Sequence, residues 1–156
     1  MTTTTTKTIE LKNVKIYAGM SEETTAFDAT LYIDGKRRCG VSNRGHGDPI
    51  AFDDWEVFKE LNEYGKTLPV ETHTLSDGAT WTSQPDAESL VGDALSKWES
   101  TQWLKRQTRN KILFRVEGDG ENEYRSYKIS QQVTRAAVKS LIERTYGDKV
   151  IEIHGV

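Results

Sequence analysis

Cysteine is almost absent from this sequence, since Cys39 is the only one among 156 residues. A single cysteine cannot form a disulfide within the chain, and it excludes a zinc site built from several cysteines. Long apolar runs are also missing, because no stretch approaches the ~20 residues that a membrane-spanning helix needs. Met1 is followed by five threonines and not by the basic and apolar segments of a signal peptide. We therefore expect an intracellular protein of a reducing cytoplasm, without membrane association.

Neither sign of charge dominates the sequence. It carries 21 Lys and Arg against 24 Asp and Glu, which gives a formal net charge of −3. This balance disfavours a globally basic nucleic-acid-binding protein, and it equally disfavours an acidic mimic of DNA. Short motifs for phosphate or metal binding are missing too. Gly45-His46-Gly47 lacks the third glycine of G-x-G-x-x-G, no Walker pattern occurs, and the three histidines are far apart. We expect neither a metal ion nor a cofactor.

The alternation of apolar residues predicts an α+β fold. Three antiparallel strands should open it as a meander, with a bulge near Asn13 in the first strand. The pair Asp34-Gly35 is typical of a type I′ turn between the second and third strands. A hairpin and a last short strand, around residues 112–116, 124–129 and 150–153, should complete the antiparallel sheet.

About three helices are expected on one face of this sheet. The first should run over residues 54–64, with Asp53 as its N-cap and Gly65 as its end. Asp86 and Ser130 are the predicted caps of the other two, and Trp98 lies on the apolar stripe of the second. Residues 66–85 form a long connection, with room for a short strand around 70–75. We expect a disordered tail over residues 1–7 and a single domain over residues 8–156.

A polar glycine-rich loop over residues 44–48 is the densest collection of reactive groups in the sequence. Arg44 could hold an anion, His46 could act as an acid, base or ligand near neutral pH, and Asp48 could orient the histidine. The flanking glycines would let a backbone approach a ligand closely. The same residues also suit a structural turn with positive φ angles. The sequence therefore leaves three roles open for this loop: structure, binding and catalysis by His46 and Asp48.

The second candidate site is a basic segment that begins at Trp103. Five cations and no acid follow this tryptophan, namely Lys105, Arg106, Arg109, Lys111 and Arg115. If the second helix continues this far, Trp103 points roughly 150° away from the centre of the apolar stripe. It would then be more than about a third exposed beside the cations, where it could stack on a base or anchor a protein partner. If the helix ends near Gln102, Trp103 would pack into the core instead.

Several segments of the first third of the sequence resemble a group of small hypothetical bacteriophage proteins. The resemblance is carried by Ser21-Glu22-Glu23-Thr24, by Phe27 to Lys36 in the pattern F-x-A-x-x-Y-x-D-G-K, and by Asn43 to Gly47 in the pattern N-x-G-x-G. It covers about 30 residues, and Asp48 stands where those proteins have a further glycine. The resemblance implies a phage or prophage accessory protein that is expressed in a bacterial host. Such proteins often inhibit host defence systems or host enzymes.

Three functions are compatible with these features. The first is a non-catalytic phage accessory protein that binds and inhibits a bacterial host factor, such as a component of anti-phage defence, in the host cytoplasm. Its partner-binding residues would be Trp103, Lys105, Arg106 and Arg109, with Arg44 and His46 as a second surface. The second is a small enzyme that acts on a nucleotide or nucleic-acid phosphate through the loop over residues 44–48. The third is a nucleic-acid-binding protein that uses the basic segment over residues 103–115. A homo-oligomer is compatible with all three.

Overall fold

The fold is α+β with antiparallel strands, as the sequence predicts. The structure is a computed structural model, and it describes residues 6–156. The strands are β1 (Ile9–Ile16), β2 (Phe27–Ile33), β3 (Lys36–Asn43), β4 (Ala51–Phe52), β5 (Glu71–Thr74), β6 (Thr80–Ser83), β7 (Lys111–Val116), β8 (Arg125–Lys128) and β9 (Val150–His154). The helices are α1 (Trp55–Lys66), α2 (Ala87–Gln107) and α3 (Arg135–Tyr146). None of the three is both long enough and apolar enough to cross a membrane.

The strands divide among three sheets. One has the order β1-β2-β3-β4, one is the hairpin β5-β6, and one has the order β8-β7-β9. The internal contacts also separate two compact units, one ending at Trp98 and one from Glu99 to Val156. Each unit has its own hydrophobic core. Of the predicted tail over residues 1–7, residues 1–5 lie outside the described part, and the backbone N–H of Lys7 donates to the Tyr64 hydroxyl at 3.1 Å.

The N-terminal meander follows the predicted local chemistry. The β1–β2 register shifts between Lys12 and Lys15, and Asn13 within that interval has a φ of 54°. The β2–β3 turn contains Asp34 and Gly35, whose φ values of 53° and 79° fit the predicted type I′ turn. The predicted bulge and the predicted turn are both confirmed. One face of the meander packs against α1 and α2 around the fully buried Leu31, Leu61 and Val91.

The ends of α1 differ from the prediction. The carboxylate of Asp53 accepts the backbone N–H of Gly40 at 2.9 Å, so Asp54 is the N-cap and accepts the N–H of Glu56 at 2.9 Å. Gly65 does not end the helix, which continues to Lys66. A Cβ on Gly65 would lie 2.3 Å from the carbonyl oxygen of Pro85, so this glycine permits a close backbone approach.

Of the predicted N-caps of the other two helices, that of α2 agrees with the structure and that of α3 does not. At α2, Asp86 accepts the N–H of Ser89 at 2.8 Å, as expected of its N-terminus. At α3, Thr134 and not Ser130 is the N-cap, because Ser130 instead accepts the backbone N–H of Gln132 and of Val133 in the preceding turn. Trp98, expected on the buried stripe of α2, is only partly buried.

The second unit is a three-stranded sheet with α3 on one face. Ile112 and Phe114 from the central strand β7 pack against Val138 and Ile142 of α3, and all four are buried. The register places Arg115 opposite Glu152 and Leu113 opposite His154 on β9. Because side chains alternate across a strand, these two pairs lie on the face opposite the α3 core.

Candidate binding surfaces

The glycine-rich loop over residues 44–48 is locked to the turn formed by residues 21–24. The carbonyl oxygen of Gly45 accepts the backbone N–H of Glu22 at 3.1 Å, of Glu23 at 2.9 Å and of Thr24 at 3.4 Å. Gly45 itself is buried and has a φ of 87°. A Cβ at this position would lie 2.1 Å from the carbonyl oxygen of Met20, so the contact requires glycine.

Hydrogen bonds from the side chains of Asn43 and Thr24 also stabilise this loop. The Asn43 Oδ1 accepts the N–H of Gly45 at 2.7 Å and the hydroxyl of Thr24 at 2.9 Å. Its amide nitrogen donates to the carbonyl oxygen of Asp48 at 2.9 Å. The hydroxyl of Thr24 also accepts the N–H of Gly47 at 3.3 Å. These bonds use much of the loop's polar backbone to hold its own shape.

His46 lies on the surface of this loop and has a partner other than the expected one. Its Nδ1 is 3.3 Å from Glu22 Oε2, and the two side chains are 54% and 70% exposed. Asp48 was expected to orient the imidazole, but it bonds to the loop through its backbone, and Glu22 is the carboxylate beside the ring. Within residues 6–156 no group of three or more His, Cys, Asp or Glu side chains could hold a metal ion. Arg44 is exposed at the start of the loop.

Trp103 lies on a continuous helix, because α2 extends to Gln107. Its side chain is 39% exposed, which agrees with the exposure predicted from its angle to the apolar stripe. The indole packs on the ring of Tyr124, with the ring centroids 5.8 Å apart. Lys105 and Arg106, in the last turn, are exposed, and neither forms an ion pair with any residue that the structure describes. We call Trp103 and Arg106, which are three positions apart on one face of the helix, the Trp103 surface, whereas Lys105 lies about 160° around the helix from Trp103.

The other three cations of the basic segment do not extend this surface along the helix. Arg109 follows the end of α2, where its carbonyl oxygen accepts a hydrogen bond from Arg135 at 3.1 Å. Lys111 and Arg115 belong to β7. Arg115 is paired with Glu152 on the neighbouring strand, with 3.3 Å between Nε and Oε1. The five cations are therefore distributed over a helix, a turn and a strand.

A polar cluster on the β8-β7-β9 sheet was not predicted from the sequence. The interaction of the Tyr124 hydroxyl with the Glu152 carboxylate raises the pKa of the tyrosine. The same interaction, with the nearby charge of Arg115, lowers the pKa of Glu152. The Nε2 of His154 lies 3.7 Å from Glu152 Oε1, and it is buried without a hydrogen-bond partner in the described structure. Glu152 is remote in sequence from Arg115 and Tyr124, and the β7–β9 register brings Arg115 beside Glu152.

The hairpin formed by β5 and β6 was also not predicted, although the sequence indicates one short strand around residues 70–75. The indole of Trp81 is 50% exposed and stacks on the cross-strand partner His73, with centroids 4.1 Å apart. The His73 Nε2 lies 2.8 Å from the hydroxyl of Ser83. No residue of either strand is fully buried.

Trp55 is the most exposed tryptophan of the first unit, at 64%. It begins α1 and stacks on Phe58, with ring centroids 4.9 Å apart. Glu56 and Glu63, further along this exposed helix face, are paired with Lys59 and Lys66. The charges of this face are thus largely compensated within the helix.

Comparisons with protein families, curated proteins and solved structures give no match to this chain. The resemblance to small bacteriophage proteins therefore remains a prediction. Two of the segments that carry it, residues 21–24 and 43–47, are the ones joined by the hydrogen bonds to Gly45 and Asn43. The residue types in these two segments therefore have a structural reason in this fold, whatever the function.

Proposed function

We propose that this protein is a non-catalytic binding protein that inhibits a bacterial host factor, such as a component of anti-phage defence. The observation that carries the proposal is the Trp103 surface: a 39% exposed indole on the same helix face as the exposed Arg106. Tryptophan and arginine are the residues most enriched among energetically dominant contacts between proteins. The resemblance to phage accessory proteins supports the bacterial host as the source of the partner.

The chemistry of this surface favours a partner with an apolar pocket flanked by carboxylates. The indole of Trp103 is supported from one side by Tyr124, which limits the rotamer freedom that binding would otherwise remove. Arg106 can accept a new ionic partner without first breaking an ion pair within the described structure. Acidic residues around the pocket would speed association and fix the orientation of the complex.

A protein partner agrees better with these observations than a nucleic acid does. Arg115 is already paired with Glu152, so fewer cations are available than the five counted in the sequence. The salt dependence of duplex DNA binding scales with the number of phosphates neutralised, and a net charge of −3 opposes tight non-specific binding. For the enzyme alternative, His46 is paired with an exposed glutamate on the surface of a loop whose backbone is occupied in structural bonds.

The test is capture of a partner from bacterial lysate, followed by an activity assay of the captured host protein. We expect the wild-type protein to retain and inhibit a specific partner. Trp103→Ala should weaken binding by about 30-fold, the equivalent of ~2 kcal/mol for a residue of this kind. Arg106→Glu should slow association and change its salt dependence, whereas Lys105→Glu, on the other side of the helix, should have a smaller effect.

Trp55→Ala is the matched control, since it removes an even more exposed tryptophan from the other unit. It should bind like the wild type, and thermal melts should show that all variants are folded. Retention of the partner by Trp103→Ala with unchanged affinity would contradict the proposed surface. Failure of the wild type to retain any partner, together with turnover of a nucleotide that His46→Ala abolishes, would favour the enzyme.

A further inference from the structure

The hairpin formed by β5 and β6 has two unpaired edges within the described chain. Its strands pair Glu71 with Ser83, Thr72 with Thr82, His73 with Trp81 and Thr74 with Thr80. Isolated two-stranded hairpins are marginally stable in water, and exposed strand edges are templates for further pairing. The hairpin therefore has the geometry of a sheet that is open to extension.

The hydrogen-bond pattern shows which groups face outward. The N–H of Leu75 donates to the carbonyl oxygen of Ala79 at 2.7 Å, so this pair is of the hydrogen-bonded kind. Hydrogen-bonded and non-hydrogen-bonded pairs alternate along an antiparallel ladder. The next hydrogen-bonded pair is therefore His73 with Trp81. The backbone groups of Thr80 and Thr82 then point away from β5, toward the free edge of β6.

The free edge of β6 carries none of the usual protections against pairing. Its sequence, Thr80-Trp81-Thr82-Ser83, contains no charge, proline or glycine, and threonine and tryptophan favour strands. Strand β5 is different, since it begins with the charged residue Glu71. Burial and, to a smaller extent, the charge of this glutamate raise the pKa of Asp93 on α2. The uncharged strand β6 is thus the better edge for pairing with an identical strand, because no like charges would meet.

We propose that two copies of this protein associate through antiparallel pairing of β6 with β6 about a two-fold axis at Trp81. In this register Thr80 of each copy faces Thr82 of the other, and the outward N–H and C=O groups of both residues form four hydrogen bonds. Trp81 faces its own equivalent in the non-hydrogen-bonded pair, where side chains approach most closely. The pairing is self-complementary, as an interface with two-fold symmetry requires. It also covers the indole that is 50% exposed in one copy.

The test is sedimentation equilibrium of the full-length protein over about 5–500 μM, a range suited to a small interface with weak affinity. We expect the average mass to rise from 17.7 kDa toward twice that value as concentration increases. Thr82→Pro removes an outward N–H from β6 without removing a bond to β5, and it should weaken association by at least about tenfold. Thr72→Pro, the cross-strand equivalent on β5, is the matched control and should associate like the wild type.

A second pair of variants keeps the test valid if proline disturbs the hairpin. Thr82→Lys should prevent association by adding charge to the edge, whereas Thr72→Lys should not. The proposal would be overturned if the wild type stays monomeric throughout the range. It would also be overturned if substitutions on the two edges weaken association equally, or if species larger than dimers form.

Discussion

Substitution of Gly45 by alanine tests whether the loop over residues 44–48 is a structural lock. Alanine at a φ of 87° carries a backbone cost of about 1–2 kcal/mol. Its Cβ would also lie 2.1 Å from the Met20 carbonyl oxygen and 3.1 Å from the Cβ of Ala26. Both neighbours belong to a packed backbone turn and cannot move aside as a flexible side chain could. The loop must therefore separate from the turn, and the three hydrogen bonds to the Gly45 carbonyl weaken or break.

Each of those bonds contributes about 1 kcal/mol net. We therefore expect Gly45→Ala to lower the free energy of unfolding by about 4 kcal/mol, measured by urea unfolding followed by circular dichroism. Gly78→Ala is the matched control, because Gly78 has nearly the same φ, 86°, and no atom within 4 Å of its added Cβ. It should cost only about 1–2 kcal/mol. Gly47→Ala should resemble this control, since its nearest neighbour is the end of the Glu23 side chain. If the free energies of unfolding of Gly45→Ala and Gly78→Ala differ by less than about 1 kcal/mol, the contribution of one hydrogen bond, the Gly45 contacts do not stabilise the loop as argued.

Two further predictions concern the second unit. The guanidinium of Arg135 donates to three backbone carbonyls near the end of α2 and the end of the chain. Arg135→Lys should lower the free energy of unfolding by about 2 kcal/mol in urea titrations, because an ammonium group cannot reproduce the planar arrangement of guanidinium donors. An unchanged unfolding midpoint would contradict this role. The ion pair with Arg125 holds the pKa of Asp119 below its ordinary value. This pair therefore stabilises the fold at pH values above the ordinary aspartate pKa of about 4. The stabilisation is lost as the pH falls through the lower pKa that Asp119 has in the folded protein. Asp119→Asn should therefore reduce the acid dependence of thermal melts, and an identical pH profile in the variant would contradict it.

The local features of the fold were predictable because nearby residues determine them. The turn at Asp34-Gly35 and the bulge at Asn13 need backbone conformations that few residue types adopt readily. Trp103 was also predictable, because its angle to the apolar stripe depends only on helix periodicity and on the continuation of α2. The ends of α1 were not, since they depend on Gly40 and Pro85, which are distant in sequence.

The missed surfaces depend on pairing between strands. Both faces of β5 and β6 are exposed, so their sequences lack the apolar alternation that marks a half-buried strand. Arg115 and Glu152 are 37 positions apart and meet only through the β7–β9 register. Counting cations along the chain therefore overestimated the basic surface, because it could not show that one of them would be neutralised.

The glycine-rich loop shows why residue types alone do not identify a site. The same glycines, asparagine and aspartate that suit a ligand-binding loop also suit a closed turn, and the difference lies in where their donors and acceptors go. Here the Asn43 Oδ1 takes the N–H of Gly45, and the Gly45 carbonyl takes three N–H groups from the neighbouring turn. The side chains that remain on the surface are Arg44, exposed, and His46, paired with an exposed glutamate. A ligand would meet these two side chains without the enclosing backbone donors that stabilise a transition state. This arrangement favours a surface contact over catalysis and agrees with a protein that acts by binding.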